Sequence, residues 1–259
     1  MAIDNQSAQY GQLPFDFING FGIENNPYTP NTGLVIFYGR TLDSNFTYQL
    51  TMPSATALFI DSSIIGIGGL DKGPLLANKI YGVYVAWDPI GSNEPSAFIS
   101  SSYYHPTIQF GYDAVKLVGY VATDASKNFR PAKWNRYGSA SYRNFIYTPS
   151  VAVLQNGTAS TETKIDLISY IPNIEGQIVN LELSFTSSTP GNSLTVYSDM
   201  GSFDLYAQAA SIPNTSLTNL VVTKQVLLTG VISPVISYSV TNAATDSASI
   251  YCNGYDFFL

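Results

Sequence analysis

No stretch of this chain sustains a helical period. Short runs of Val, Ile, Thr, Tyr and Phe are cut at close intervals by Gly, Pro, Asn and Ser, so any helix would end within a turn or two. The apolar runs instead predict strands at Leu34–Tyr38, Phe46–Met52, Ala57–Ile60, Lys79–Trp87, Ala97–Ser101, Ala114–Ala122 and Phe145–Tyr147. Further strands are expected at Val151–Leu154, Thr163–Leu167, Ile178–Thr186, Ser193–Tyr197, Leu205–Ala210, Gln225–Leu228, Val235–Val240, Ser247–Asn253 and Tyr255–Leu259. The fold class is therefore all-β.

Alternation is clearest in Ile178–Thr186, where Val179, Leu181, Leu183 and Phe185 share one side and Ile178, Asn180, Glu182 and Ser184 the other. Such a strand has a core face and a wet face. Asp88-Pro89-Ile90-Gly91 and Asp124 to Asn128 carry the residues that close turns, because Asp and Asn bond their own backbone and Gly accepts unusual dihedrals. Asn242 to Asp246 is expected to close a hairpin between Val235–Val240 and Ser247–Asn253. Apolar periodicity lapses from Pro131 to Gly138, which places a domain boundary near 138. The expected organisation is an N-terminal arm (1–12), a β-domain (13–138) and a C-terminal β-sandwich (139–259). Both domains are read as antiparallel sandwiches or barrel-like sheets, the second jelly-roll-like.

Aromatic residues make up 14% and charged residues only 11%, so Ser, Thr, Asn and Gln must keep much of the surface wet. That composition suits a long-lived assembly. Net charge is −7, with 8 basic and 10 acidic groups in residues 1–138 and 3 and 8 in 139–259. A nucleic-acid backbone is thus not an expected partner. Lys116, Lys127, Arg130, Lys133, Arg136 and Arg143 fall in one segment, readable as a basic patch or as a solvated face between domains. The apolar runs Val221–Val226 and Ile64–Leu70 are far shorter than the roughly 20 residues of a spanning helix, so no membrane insertion is expected. Met1 to Ser7 has no basic end before an apolar stretch, and no signal peptide is expected.

One His and one Cys leave little for a metal site, so neither metal nor cofactor is expected. His105, in Tyr103-Tyr104-His105-Pro106, reads as a loop histidine held by hydrogen bonds, and Cys252 as a small core residue. No serine sits in a G-x-S-x-G elbow. Gly20-Phe21-Gly22 and Gly66 to Gly69 open no helix that could hold a phosphate. Paired carboxylates hydrolyse glycans in some enzymes, but that geometry is not readable from sequence, and the expectation is a non-enzyme. Tyr103, Tyr104, Tyr112, Trp134, Tyr137 and Tyr142 are the candidate contact residues, because an aromatic ring offers an apolar face with a polar tip to a sugar or partner. Core packing and subunit contacts are the competing roles for each.

From Gly68 to Trp134 the order G-G-L-D-x-G, an aromatic strand, D-x-x-G, a small-residue strand, P-T, G-Y-D, L-x-G-x-V and T-D-x-S-x-N-F resembles a module of tailed-bacteriophage virion proteins. Phe17 to Asn26, Thr29 to Thr32 and Gly39 to Ser44 extend it upstream; Asn156 to Thr161, Ser237 to Val240 and Gly254 to Leu259 extend it downstream. The resemblance implies a tail- or head-fibre protein located in the virion, with 13–138 mounting on the particle. It implies a homotrimer, contacts with other virion proteins and contact with a host glycan or receptor. A capsid decoration protein, a tail adaptor and a carbohydrate-binding module are the alternatives. Fold analogy carries these expectations, since the motifs mark no reacting group.

Overall fold

The computed structural model describes residues 18–45, 47–102, 105–108, 110–135, 142–174, 177–189, 192–198, 204–208, 218–228 and 234–258. The expected arm, 1–12, and the expected boundary at 138 lie outside them. Among the described residues there are strands and turns and no helix, and the chain separates into two compact units between Phe145 and Ile146.

The first unit holds β1 (Ile18–Gly20), β2 (Ile23–Asn25), β3 (Gly33–Phe37), β4 (Gly39–Leu42), β5 (Gln49–Thr51), β6 (Ala57–Asp61), β7 (Ile80–Trp87), β8 (Ser96–Ser100), β9 (Ala114–Ala122) and β10 (Ala132–Asn135). They form three antiparallel groups, β1-β4-β5, β10-β2-β3-β6 and β8-β7-β9. Two seams join the second and third groups into a barrel-like unit. At one, Gly68 to Asp71 runs beside β8, with Gly68 N donating to Ala97 O at 2.8 Å and Asp61 N to Gly68 O at 2.7 Å. At the other, Trp134 Nε1 donates to Tyr120 O at 3.1 Å while its ring lies over Gly119. A Cβ at Gly119 would stand 3.0 Å from that ring and 2.6 Å from Ile23 Cδ1, so only glycine allows the approach.

β7 is buried along its whole length. Its two faces carry different clusters because side chains alternate. Tyr84 and Ala86 join Phe98 and Val115 on one face, with Tyr84 stacked on Phe98 at 5.2 Å and Ile67, Tyr112 and Leu117 packed over them. Pro131 to Asn135, expected to be a lapse between domains, contains β10 instead. Trp134 anchors it in the core against Phe145 at 5.0 Å, and Lys133 pairs in register with Glu24, their side chains 3.3 Å apart.

The second unit is built from β11 (Tyr142–Gly157), whose first residues precede the division, β12 (Thr163–Asp166), β13 (Gln177–Ser187), β14 (Ser193–Ser198), β15 (Asp204–Gln208), β16 (Thr218–Leu228), β17 (Val235–Val240) and β18 (Asp246–Phe258). Here β16-β13-β18-β11 form one run of neighbours and β12-β17-β14-β15 the other. Numbered within the unit, the orders are 6-3-8-1 and 2-7-4-5, the arrangement of a jelly roll. Among the described strands only β14 to β15 is a hairpin, and every other consecutive pair changes sheet. β13 alternates as expected, with Val179, Leu181, Leu183 and Phe185 buried in the core beside Leu194, Val196, Ile236, Ile250 and Cys252. Burial of each large side chain contributes about 1.5–3 kcal/mol.

Two expectations fail here, the first because strand pairing is set by the sandwich rather than by adjacency. β17 pairs with β12 and β14 while β18 pairs with β13, so Asn242 to Asp246 is a crossing between sheets and not a hairpin. The segments Phe145–Tyr147 and Val151–Leu154 are one strand, β11, which continues through the cis Thr148–Pro149 bond.

Candidate contact surface

The end of the β8-β7-β9 sheet at which β7 finishes is built around Asp88. Its Oδ1 accepts from Gly91 N at 2.6 Å and its Oδ2 from Asn93 N at 3.3 Å, closing the Asp-Pro-Ile-Gly turn that the residue types predicted. Gly91 is needed because a Cβ there would stand 1.9 Å from the Asp88 carboxylate. Donation from Gly91 holds the Asp88 carboxyl below the usual carboxylate range against the opposing effect of burial.

Asn93 then ties this turn to the segment leading into β9, its Nδ2 donating to Gly111 O at 2.8 Å. Next to Gly111, Tyr112 lays its ring on the Tyr84/Phe98 cluster and donates its hydroxyl to Glu94 O at 3.3 Å. Burial, and secondarily the Asp88 charge, push the Tyr112 phenol up. Two loops are thereby held together with apolar residues outward: Ile90 is 75% exposed and Phe110 fully exposed. Glu94 and Asp113 stand exposed beside them. The arrangement offers an apolar contact with an acidic rim.

Of the candidate aromatics whose side chains are described, Tyr112 stands at this surface. Trp134 is 1% exposed and belongs to the core, which corrects its reading as a contact residue: its ring fills the space Gly119 leaves. Tyr103, Tyr104 and Tyr137 lie outside the described residues, and Tyr142 starts β11 with its side chain outside them. Ile90 and Phe110 were missed. The available signal was a large apolar residue inside a turn motif, where no alternation could send it to the core.

The basic segment is distributed. Lys116 is buried, Lys133 pairs with Glu24, and Arg130 donates to Thr123 O at 3.2 Å and Asn78 Oδ1 at 3.4 Å. Lys127 is exposed, whereas Arg136 and the Arg143 side chain lie outside the described residues. His105 is an exposed loop residue whose N–H donates to Ser102 Oγ at 3.3 Å. No group of three or more His, Cys, Asp or Glu able to hold a metal occurs among the described residues.

A second ordered loop end lies in the jelly roll, at Asp246, which is 2% exposed. Its carboxylate accepts from Ser187 Oγ at 2.7 Å, Asn192 Nδ2 at 2.9 Å, Asn242 N at 2.9 Å and Thr245 Oγ1 at 3.0 Å. Burial opposes the charge, but these donors outweigh it and hold the carboxyl below its ordinary range.

No protein-family profile matches the chain, and no curated protein matches it. Among solved structures it is similar to the crystal structure of a Bacillus thuringiensis Cry1Da tryptic core variant, at 6% identity and a TM-score of 0.19, over 93% of this chain and 51% of that one. The chain thus spans about half the length of that structure, and a likeness of this level carries no argument about function.

Proposed function

We propose that the protein is a non-enzymatic structural component of a tailed-bacteriophage virion, a fibre-like protein of tail or head that acts by assembly and by contact with the host surface. The sequence resemblance supplies the context. The observation that carries the reading is the loop end of the first unit, where Ile90 and Phe110 are held in solvent by the Asp88 and Asn93 hydrogen bonds. Large apolar residues fixed outward in this way belong to a surface that a partner covers. The jelly-roll unit supports the same reading, since this architecture recurs in viral and lectin domains.

In this reading 13–138 mounts on the particle, the jelly-roll unit projects, and the chain assembles as a homotrimer. Loops such as Thr186 to Ser193 and Tyr197 to Phe203 would meet a receptor or host glycan; residues 190–191 and 199–203 of them lie outside the described residues. A shell brace or tail adaptor is the second reading. It is favoured by the character of the first-unit surface, where an isoleucine and a phenylalanine suit a protein partner better than a sugar, which wants stacking rings with polar tips.

Immunogold labelling of intact virions, combined with adsorption competition by purified protein, tests the proposal. Labelled particles and slowed adsorption are expected. Labelled heads without competition would select the brace, labelled tails without competition the adaptor, and unlabelled particles would overturn the virion reading.

A further inference from the structure

The first unit has two chemically opposite ends. β7 runs from Ile80, in register with Ala122, to Trp87, in register with Ala114, so about 25 Å of strand separates them. At the Trp87 end stand the exposed Ile90 and Phe110 with Asp88, Glu94 and Asp113, and the chain has no Lys or Arg from Ile80 to Val115. The next cation, Lys116, is 7% exposed and adds little to that surface.

At the Ile80 end two connections are locked together. Asn78 N donates to Asp124 O at 3.0 Å, Thr123 N to Lys79 O at 2.9 Å, and Thr123 Oγ1 to Leu76 O at 2.7 Å. This end exposes Lys72, Lys79 and Lys127, keeps Arg130 half-buried, and leaves Leu76 48% exposed. The Asp124 carboxylate accepts from Ser126 N and Asn128 N within its own turn, and Asp71 is 4% exposed with its Oδ2 accepting from Ser100 Oγ. Cations dominate the surface.

We propose that the first unit self-associates head to tail, the acidic end tipped by Ile90 and Phe110 docking on the basic end of a second copy around Leu76, Lys79 and Lys127. The inference rests on the reading of the loop end as an assembly surface and names its partner. A two-fold contact of like ends would set acid against acid, whereas the head-to-tail contact pairs opposite charges and lets Phe110 lie on Leu76 and the lysine stems. Such a contact closes into a ring, of which a trimer is one case, or continues as a stack, according to the rotation at each step.

The test uses the full chain and sedimentation velocity in about 50 mM and about 500 mM salt, where screening of exposed charges differs strongly. Wild-type protein should exceed monomer mass at low salt and lose about tenfold in association constant at high salt. Phe110→Asp, the pair Glu94→Lys with Asp113→Lys, and the pair Lys79→Glu with Lys127→Glu should each be monomeric, with unchanged circular dichroism because all five side chains are exposed. An equal mixture of the two charge-reversed pairs should associate again, since each then supplies the end the other needs. A wild-type monomer up to about 100 µM at low salt, or a Lys79→Glu, Lys127→Glu protein that still associates, overturns the inference. If wild type is monomeric but Phe110→Asp alone abolishes binding to virions, the assembly surface stands with a foreign partner; if Phe110→Asp changes neither, both readings fail.

Discussion

The carboxylate of Asp246 joins the start of β18 to the end of β13 and to the turns around Asn192 and Asn242. Because its native pKa is depressed, its ionised form stabilises the fold above the ordinary carboxylate range. The contribution falls as pH drops below roughly 4 and is gone once pH passes below the depressed native value. Asp246→Ala removes the acceptor from four donors and should cost about 3 kcal/mol in urea unfolding at neutral pH. Asp246→Asn should lose part of that stability and flatten the acid limb of the stability profile. An acid limb as steep as wild type in Asp246→Asn would show that another carboxylate governs it. Asp88 carries the same sign: its carboxyl is also held low, so the 88–93 turn should loosen on acidification, read as a lower protection factor against amide exchange at Gly91 below about pH 4.

Strands differ in how they declare themselves. β9 and β17 occupy the predicted residues, and β7 nearly so, because a run of β-branched and aromatic side chains buried on one or both faces leaves its mark in composition. β1, β2, β4 and β10 were not foreseen. Each has three or four residues, among them Ile-Asn-Gly and Gly-Arg-Thr-Leu, too few for a period to register. Their strand state comes from the partner: Ile18 to Gly20 lie opposite Gly39 to Thr41, and Lys133 lies opposite Glu24. β10 depends on Trp134 reaching over Gly119, so Gly119→Ala should destabilise the first unit by roughly 1–3 kcal/mol through overpacking, measured by thermal or urea unfolding. Trp134 fluorescence should change with it, against the second tryptophan, Trp87, as an internal reference.

At the scale of the molecule, all eight jelly-roll strands fall within Tyr142–Phe258, and their inward faces supply an apolar core of their own. Residues 139–259 expressed alone should therefore unfold in one cooperative transition by calorimetry, and a featureless trace would show that the two units share their stability. The sequence by itself determined the all-β class, the core face of β13, the burial of Cys252 and the Asp88 turn, because these follow from local periodicity and from side chains bonding their own backbone. Only the tertiary structure decided that β17 and β18, joined by a short turn, belong to different sheets. A turn's composition sets its local bend, while the sheet that captures the next strand depends on edges left open by β13 and β14, far away in the chain. Tertiary structure likewise sent Trp134 inward and left Phe110 outside. Both are large aromatics beside polar residues, and their fates were settled by space: a glycine opposite one, and for the other a loop pinned by Asn93 at a sheet end that no described strand covers.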